Sequence, residues 1–121
     1  MFRNVAELVE LAETRQVKIA EVMIQQEMDV TGRSREEVIQ FMDRNLTVME
    51  EAIERGLKGV KSHSGLTGGD AVLLQEYIKK GKSLSGEVLL DGVSKAVATN
   101  EVNSAMGTIC ATPTAGSAGV V

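Results

Sequence analysis

The sequence predicts an all-α fold, packed helices joined by glycine-rich polar loops, with the last long helix buried. Three observations lead there. Aromatic residues are scarce, limited to Phe2, Phe41 and Tyr77 with no Trp, so the core must be built from Leu, Ile, Val, Met and Ala. Apolar residues recur at i, i+3 and i+4 over most of the chain. Two segments open with a small polar residue followed three positions later by Glu, the spacing of a capping box.

The first of these is Asn4 with Glu7, after which Val5, Leu8, Val9 and Ala12 fall at helical spacing and predict a short first helix. From Lys18 to about Val30 the apolar set Ile19, Val22, Met23, Met28 and Val30 predicts a second, less regular helix, which Thr31-Gly32-Arg33 stops. Ser34 with Glu37 repeats the capping spacing. The stripe Val38, Met42, Leu46, Met49, Ile53 and Leu57, opposed by Arg35, Glu36, Asp43, Glu50 and Glu54, then predicts a long amphipathic helix. Lys61 to Asp70 breaks all periodicity and contains Gly65, Gly68 and Gly69, so it reads as a loop, with Asp70 placed to cap a helix over about Ala71–Lys80. Gly81 ends that helix and Ser85 begins another. The last long helix, Gly86 to about Ala105, carries Val88, Leu89, Leu90, Val93, Ala96, Val97, Ala98 and Val102 around its circumference, which predicts a central, buried position.

Composition excludes several classes of function. At 121 residues the chain is one domain's worth of sequence, and no repeat, linker or low-complexity run suggests a boundary within 1–121. Thirteen basic against seventeen acidic side chains give a net charge of -4, with Lys and Arg dispersed among acids, so nucleic-acid binding gains no electrostatic support. The single cysteine, Cys110, forbids an internal disulfide and a cluster held by this chain's own thiolates. No secretory h-region or membrane-length apolar run is present, and the cytoplasm is the expected compartment.

Four places hold candidate chemistry. Thr99-Asn100-Glu101-Val102-Asn103-Ser104 is polar where the apolar pattern leads one to expect more core. It reads either as a helix end returning to solvent or as Asn100, Glu101 and Asn103 directed into a site, amides holding substrate and the carboxylate orienting a neighbour or accepting an ammonium. In the C-terminal segment, Pro113 stiffens Thr112-Pro113-Thr114, and Gly116-Ser117-Ala118-Gly119 resembles a helix start whose free N–H groups suit a carboxylate or phosphate. A structural turn is the simpler reading of that segment. His63 lies in the glycine-containing loop without a second metal ligand at suitable spacing, and a solvated side chain is its default reading. In the same loop Gly65-Leu66-Thr67-Gly68-Gly69-Asp70 is the better candidate, because backbone donors and a hydroxyl converge just before a helix. Cys110, between Ile109 and Ala111, reads as an inert thiol, and the six methionines read as core filling.

Taken together, Ser64-Gly65-Leu66-Thr67-Gly68-Gly69-Asp70-Ala71, Gly81-Lys82-Ser83-Leu84-Ser85-Gly86, Ala98-Thr99-Asn100-Glu101-Val102-Asn103 and Gly107 through Gly119 resemble the alpha chain of bacterial iron-sulfur-dependent L-serine dehydratases. Met1-Phe2-Arg3-Asn4-Val5 and Val22 through Met28 are similar to the two-subunit form of that family. The resemblance implies deamination of L-serine to pyruvate and ammonia without pyridoxal phosphate. A 4Fe-4S cluster would act as the Lewis acid for the departing hydroxyl, and a beta chain would supply further active-site residues. It also implies a substrate-binding segment at Thr112, Pro113, Thr114, Ala115 and Gly116, holding the serine carboxylate, with Asn103 and the Thr67-Gly68-Gly69 loop as neighbours.

The family's cluster cysteines lie beyond the Pro-Thr segment, and Cys110 does not correspond to any of them. Residues 1–121 are therefore expected to be the N-terminal part of an alpha chain, ending in a truncated loop or helix start, with no metal ligands and no identified proton base of their own. Alone, such a chain is expected to be inactive and to self-associate through an exposed apolar patch. The alternative is a non-catalytic helical assembly module. A hydro-lyase acting on another small hydroxy acid is a third possibility.

Overall fold

Five helices follow one another in the structure, a computed structural model that describes residues 2–81 and 83–111: α1 (Val5–Arg15), α2 (Ile19–Thr31), α3 (Arg35–Leu57), α4 (Asp70–Lys79) and α5 (Glu87–Ser104). No strand occurs among the described residues, and the all-α expectation is met. None of these helices is long and apolar enough to cross a membrane. The chain divides into two compact units, residues 1–44 and 45–121.

In the first unit local chemistry sets the helix ends. Asn4 Oδ1 accepts the Glu7 N–H at 2.9 Å while the Glu7 carboxylate accepts the Arg3 N–H at 2.7 Å, so donors that helix geometry leaves unpaired are satisfied at the start of α1. Gln16, in the left-handed region at φ 52°, and Val17 return their N–H groups to Glu13 and Ala12 and close that helix. Gly32, at φ 70°, ends α2 with its N–H on the Met28 carbonyl. Ser34 and Glu37 form the reciprocal pair expected at the start of α3: the Glu37 N–H donates to Ser34 Oγ at 3.2 Å and the Ser34 N–H to Glu37 Oε2 at 2.8 Å. Arg35 then grips Glu21 of α2 with both guanidinium arms, at 2.6 and 2.8 Å, which fixes the first turn of α3 against α2. The buried apolar residues of this unit are Ala12, Val22 and Val38.

The core of the second unit is made of small residues. Ala52, Ala71, Ser94, Ala98 and Val102 are all buried, and Gly56 of α3 lies directly against the backbone of Ala98 in α5. A Cβ on Gly56 would stand 2.6 Å from Ala98 Cα and closer still to its carbonyl, so only glycine permits this approach. Helices α4 and α5 run antiparallel, because Asp70 meets Glu101 at one end while Gln75 Nε2 donates to Ser94 Oγ at 2.6 Å nearer the other. The Ser94 hydroxyl passes the bond on to the Asp91 carbonyl at 2.8 Å, and the buried hydroxyl is thereby satisfied.

Two expectations about burial need correction. Helix α5 is buried along one face only: Ser94, Ala98, Glu101 and Val102 are inside, whereas Val88 is 90% exposed and Leu89 60%. The apolar stripe of α3 is likewise uncovered at its middle, with Met42 and Leu46 more than half exposed. In both helices most of the buried positions are small or hydrogen-bonded residues, and several larger apolar side chains are left outside. Ser85 does not cap α5, whose N-cap is Gly86.

Candidate functional site

The loop between α3 and α4 is closed by its own polar groups. Ser62 N–H donates to the Thr67 carbonyl at 2.8 Å and Thr67 N–H donates to Ser62 Oγ at 3.1 Å, so the two ends of the hexapeptide are held together by one residue pair. Inside it Gly65 N–H donates to the Ser62 carbonyl at 2.9 Å, and Leu66 N–H reaches Ser64 Oγ at 3.4 Å. The donors of Ser62, Gly65, Leu66 and Thr67 are therefore engaged. Among the described residues no hydrogen bond engages the N–H groups of Gly68 and Gly69.

Gly68 has φ 128° and rests on the backbone of Val60 and Lys61, where a Cβ would lie 2.8 Å from Lys61 Cα and overlap the Val60 carbonyl. Gly69, at φ 101°, has open space where a Cβ would be. These two half-buried glycines lead straight into the first turn of α4.

Asp70 does not cap α4 as the sequence suggested. It is the first residue of the helix, the N-cap is Gly69, and no side chain of the loop bonds to the helix start. The cap comes from α5 instead: Glu101, 2% exposed, accepts the Asp70 N–H on Oε1 at 2.6 Å. A carboxylate at a helix N-terminus gains both a charge-assisted hydrogen bond and the favourable end of the helix dipole. Its second oxygen, Oε2, is buried and has no hydrogen-bond partner among the described residues. The sequence signal for Glu101 was an acid interrupting the run Ala96, Val97, Ala98 and Val102. Its partner, 31 residues away, could not be read from that pattern.

Thr67, Gly68 and Gly69 are thus gathered at the site pinned by Glu101, with the Thr67 side chain facing solvent. Asn103 is exposed, and two residues beyond Glu101 on the same helix it projects about 200° around the axis from it. The described residues do not bring it to the loop. Asn100 and His63 are also exposed. After α5 the chain turns sharply: Met106 has φ 61°, and Gly107 N–H donates to the Val102 carbonyl at 2.8 Å. A Cβ on Gly107 would press on Val102 Cγ1 at 2.6 Å, so the segment Thr108–Ala111 leaves from a turn seated on the buried Val102. Cys110 is half-buried with its thiol free. Thr112, Pro113, Thr114, Ala115 and Gly116 lie outside the described residues. Among the described residues no three His, Cys, Asp or Glu side chains are grouped so as to hold a metal ion.

Comparison with known proteins agrees with the sequence motifs. The family described as Serine dehydratase alpha chain matches residues 14–121. A probable L-serine dehydratase alpha chain of Bacillus subtilis (strain 168) is 67% identical over 121 residues, covering 100% of this chain and 40% of the relative. The L-serine dehydratase alpha chain of Peptoniphilus asaccharolyticus is 30% identical over 122 residues, covering 100% of this chain and 42% of the relative. A probable alpha chain from Latilactobacillus sakei matches over 35 residues at 63% identity, 29% of this chain and 17% of the relative. The chain spans about two fifths of the length of the two relatives that match all of it. No solved structure matches.

Proposed function

We propose that this chain, which belongs to the serine dehydratase alpha chain family, supplies part of the substrate pocket of an L-serine ammonia-lyase that forms pyruvate and ammonia. Residues 1–121 are in this reading the N-terminal part of the family's domain. The observation that carries the proposal is the Gly68–Gly69 pair: two backbone N–H groups without partners among the described residues, at the N-terminus of α4, on a loop closed by Ser62 and Thr67. Such a pair suits a small carboxylate, and the positive end of the helix dipole favours it further. Thr112, Pro113, Thr114, Ala115 and Gly116 complete the substrate contacts in this reading, with Asn103, which faces the other side of α5 from Glu101, contributing from outside the glycine loop, and a beta chain is the partner, since the relatives are named as alpha chains.

The donor set of this chain does not fit an iron-sulfur cluster. It has one cysteine, and clusters take several. A 4Fe-4S cluster, if the complete enzyme uses one, is held by residues outside these 121, and this chain's part is to bind and orient the amino acid. The test is serine deamination by the complete alpha chain assembled with its beta chain under anaerobic conditions. Thr114→Val and Asn103→Ala should each raise KM for L-serine, and unchanged KM in both would remove these residues from the pocket.

A second reading, a non-catalytic assembly module, is favoured by the first half of α5, where Val88, Leu89 and Val93 are exposed, and by the exposed Leu84 just before it. A contiguous apolar surface of this kind suits a protein partner or a second copy. Concentration-dependent self-association in size-exclusion chromatography supports it and a monomer at all concentrations counts against it, while an alpha–beta assembly that does not turn over serine counts against the first reading.

A further inference from the structure

A carboxylate withdrawn from water must be paired on both oxygens to offset its lost hydration, and leaving one acceptor unpaired costs about 1–3 kcal/mol or more for a charged group. Glu101 is 2% exposed and meets this condition on one oxygen only. Oε1 takes the Asp70 N–H, and Oε2 is buried without a hydrogen-bond partner among the described residues. A structural cap needs a single acceptor. The polar side chains Gln75 and Ser94, which tie the same two helices together, are bonded to each other and to the Asp91 carbonyl. The unpaired oxygen of Glu101 is thus the exception in this helix pair, and it lies at the peptide that joins α4 to the glycine loop.

The surroundings specify what would complete it. The missing partner must be a donor, because a carboxylate oxygen only accepts. It must be small, since Oε2 is buried, and it must reach the first turn of α4, where Oε1 already holds the Asp70 N–H. Next to it stand the N–H groups of Gly68 and Gly69, which have no hydrogen-bond partner among the described residues and suit an anion. A donor and an anion a few ångströms apart in one small molecule describe the ammonium and carboxylate of an α-amino acid.

We propose that Glu101 is the specificity residue for the substrate amine: Oε2 accepts a hydrogen bond from the ammonium of an α-amino acid, while Oε1 holds the Asp70 N–H and keeps the glycine loop in place for the carboxylate. This rests on the serine-pocket reading above and adds to it the group that separates amino acids from hydroxy acids. The N-terminus of α4 alone does not define a site. The buried, half-satisfied carboxylate aimed at it does.

L-Alanine and L-lactate share a carboxylate and a methyl group and differ in ammonium against hydroxyl, so calorimetric titration of the assembled enzyme with each isolates the amine. The wild-type enzyme is expected to bind L-alanine about tenfold or more tighter than L-lactate, because a charge-assisted bond is roughly twice as strong as a neutral one. Glu101→Gln keeps an oxygen for the Asp70 N–H and removes the charge. It should weaken L-alanine about tenfold and L-lactate by less than about threefold. Equal weakening of both ligands, or of neither, overturns the proposal, as either leaves Glu101 a structural cap. Equal binding of the two ligands by the wild-type enzyme overturns it too, and that measurement does not depend on the variant folding. An amine preference that requires Glu101, found in an enzyme that does not deaminate L-serine, would retire the serine reading and leave the amine site standing.

Discussion

Glu101 caps a helix to which it does not belong: its Oε1 accepts the N–H of Asp70, 31 residues earlier in the chain, at 2.6 Å. The bond ties the C-terminal end of α5 to the first turn of α4. It does for tertiary structure what Asn4 and Ser34 do locally for α1 and α3. Since the same turn carries the glycine loop, the stability of the helix pair and the geometry of the proposed pocket depend on one carboxylate.

Glu101→Ala should therefore destabilise the chain by about 1–3 kcal/mol, the cost of a lost charge-assisted hydrogen bond that caps a helix. Glu101→Gln should cost less, because its amide oxygen can still accept from Asp70. Urea denaturation monitored by circular dichroism compares the two, and equal losses would mean that the charge matters more than the hydrogen bond.

Gly56 and Gly92 make opposite predictions from the same substitution. Gly56→Ala forces a methyl group into the backbone of Ala98, which cannot yield without separating α3 from α5, and should destabilise by about 1–3 kcal/mol or more. Gly92 lies within α5 with open space around its Cβ position, so Gly92→Ala should stabilise by roughly 0.5–1 kcal/mol through helix propensity alone. Shifts of the urea midpoint in opposite directions are the expected result.

The pair Glu21 and Arg35 sets a pH dependence for the first unit. The hydrogen bond from the Arg35 guanidinium holds the Glu21 carboxyl below its ordinary 4.5. In that window the unfolded chain binds more protons than the folded one, so stability rises with pH. The contribution is in full force above 4.5 and disappears as pH falls through the lower folded value. Glu21→Gln lacks it, and the gap between wild type and variant in thermal midpoint should be widest near neutrality and close in acid. Both side chains are well exposed, so high salt should also narrow the gap.

What the sequence made legible was local. The capping pairs Asn4–Glu7 and Ser34–Glu37 and the stop at Gly32 were readable because each is completed within a few residues. The cap of α4 was assigned to Asp70 for the same reason, and incorrectly, since its acceptor arrives from α5. Burial was misread where hydrophobicity stood in for contact: Val88 and Met42 are apolar and exposed, whereas Ser94 and Glu101 are polar and buried, because small or hydrogen-bonded residues line the helix crossings. Of the candidate site, the glycine loop was visible as a break in periodicity. Its closure by the Ser62 hydroxyl and its seat on Val60 follow from backbone geometry that no spacing encodes.

That seat makes Gly68 the most sensitive position in the loop. Its φ of 128° lies where side chains are strained, and a Cβ would also overlap the Val60 carbonyl, so Gly68→Ala meets two penalties at once. Gly69, at φ 101°, meets only the first, because the space beside it is open. If the two N–H groups hold the substrate carboxylate, Gly68→Ala must push the loop off Val60 and misplace both donors, raising KM for L-serine in the assembled enzyme by about tenfold or more, the worth of one or two charge-assisted hydrogen bonds. Gly69→Ala should give a smaller increase together with a loss of stability of about 1–3 kcal/mol from backbone strain. The order of the two KM values is the discriminating measurement. A Gly68→Ala enzyme with wild-type KM would show that the loop does not bind substrate, whatever the substitution does to stability.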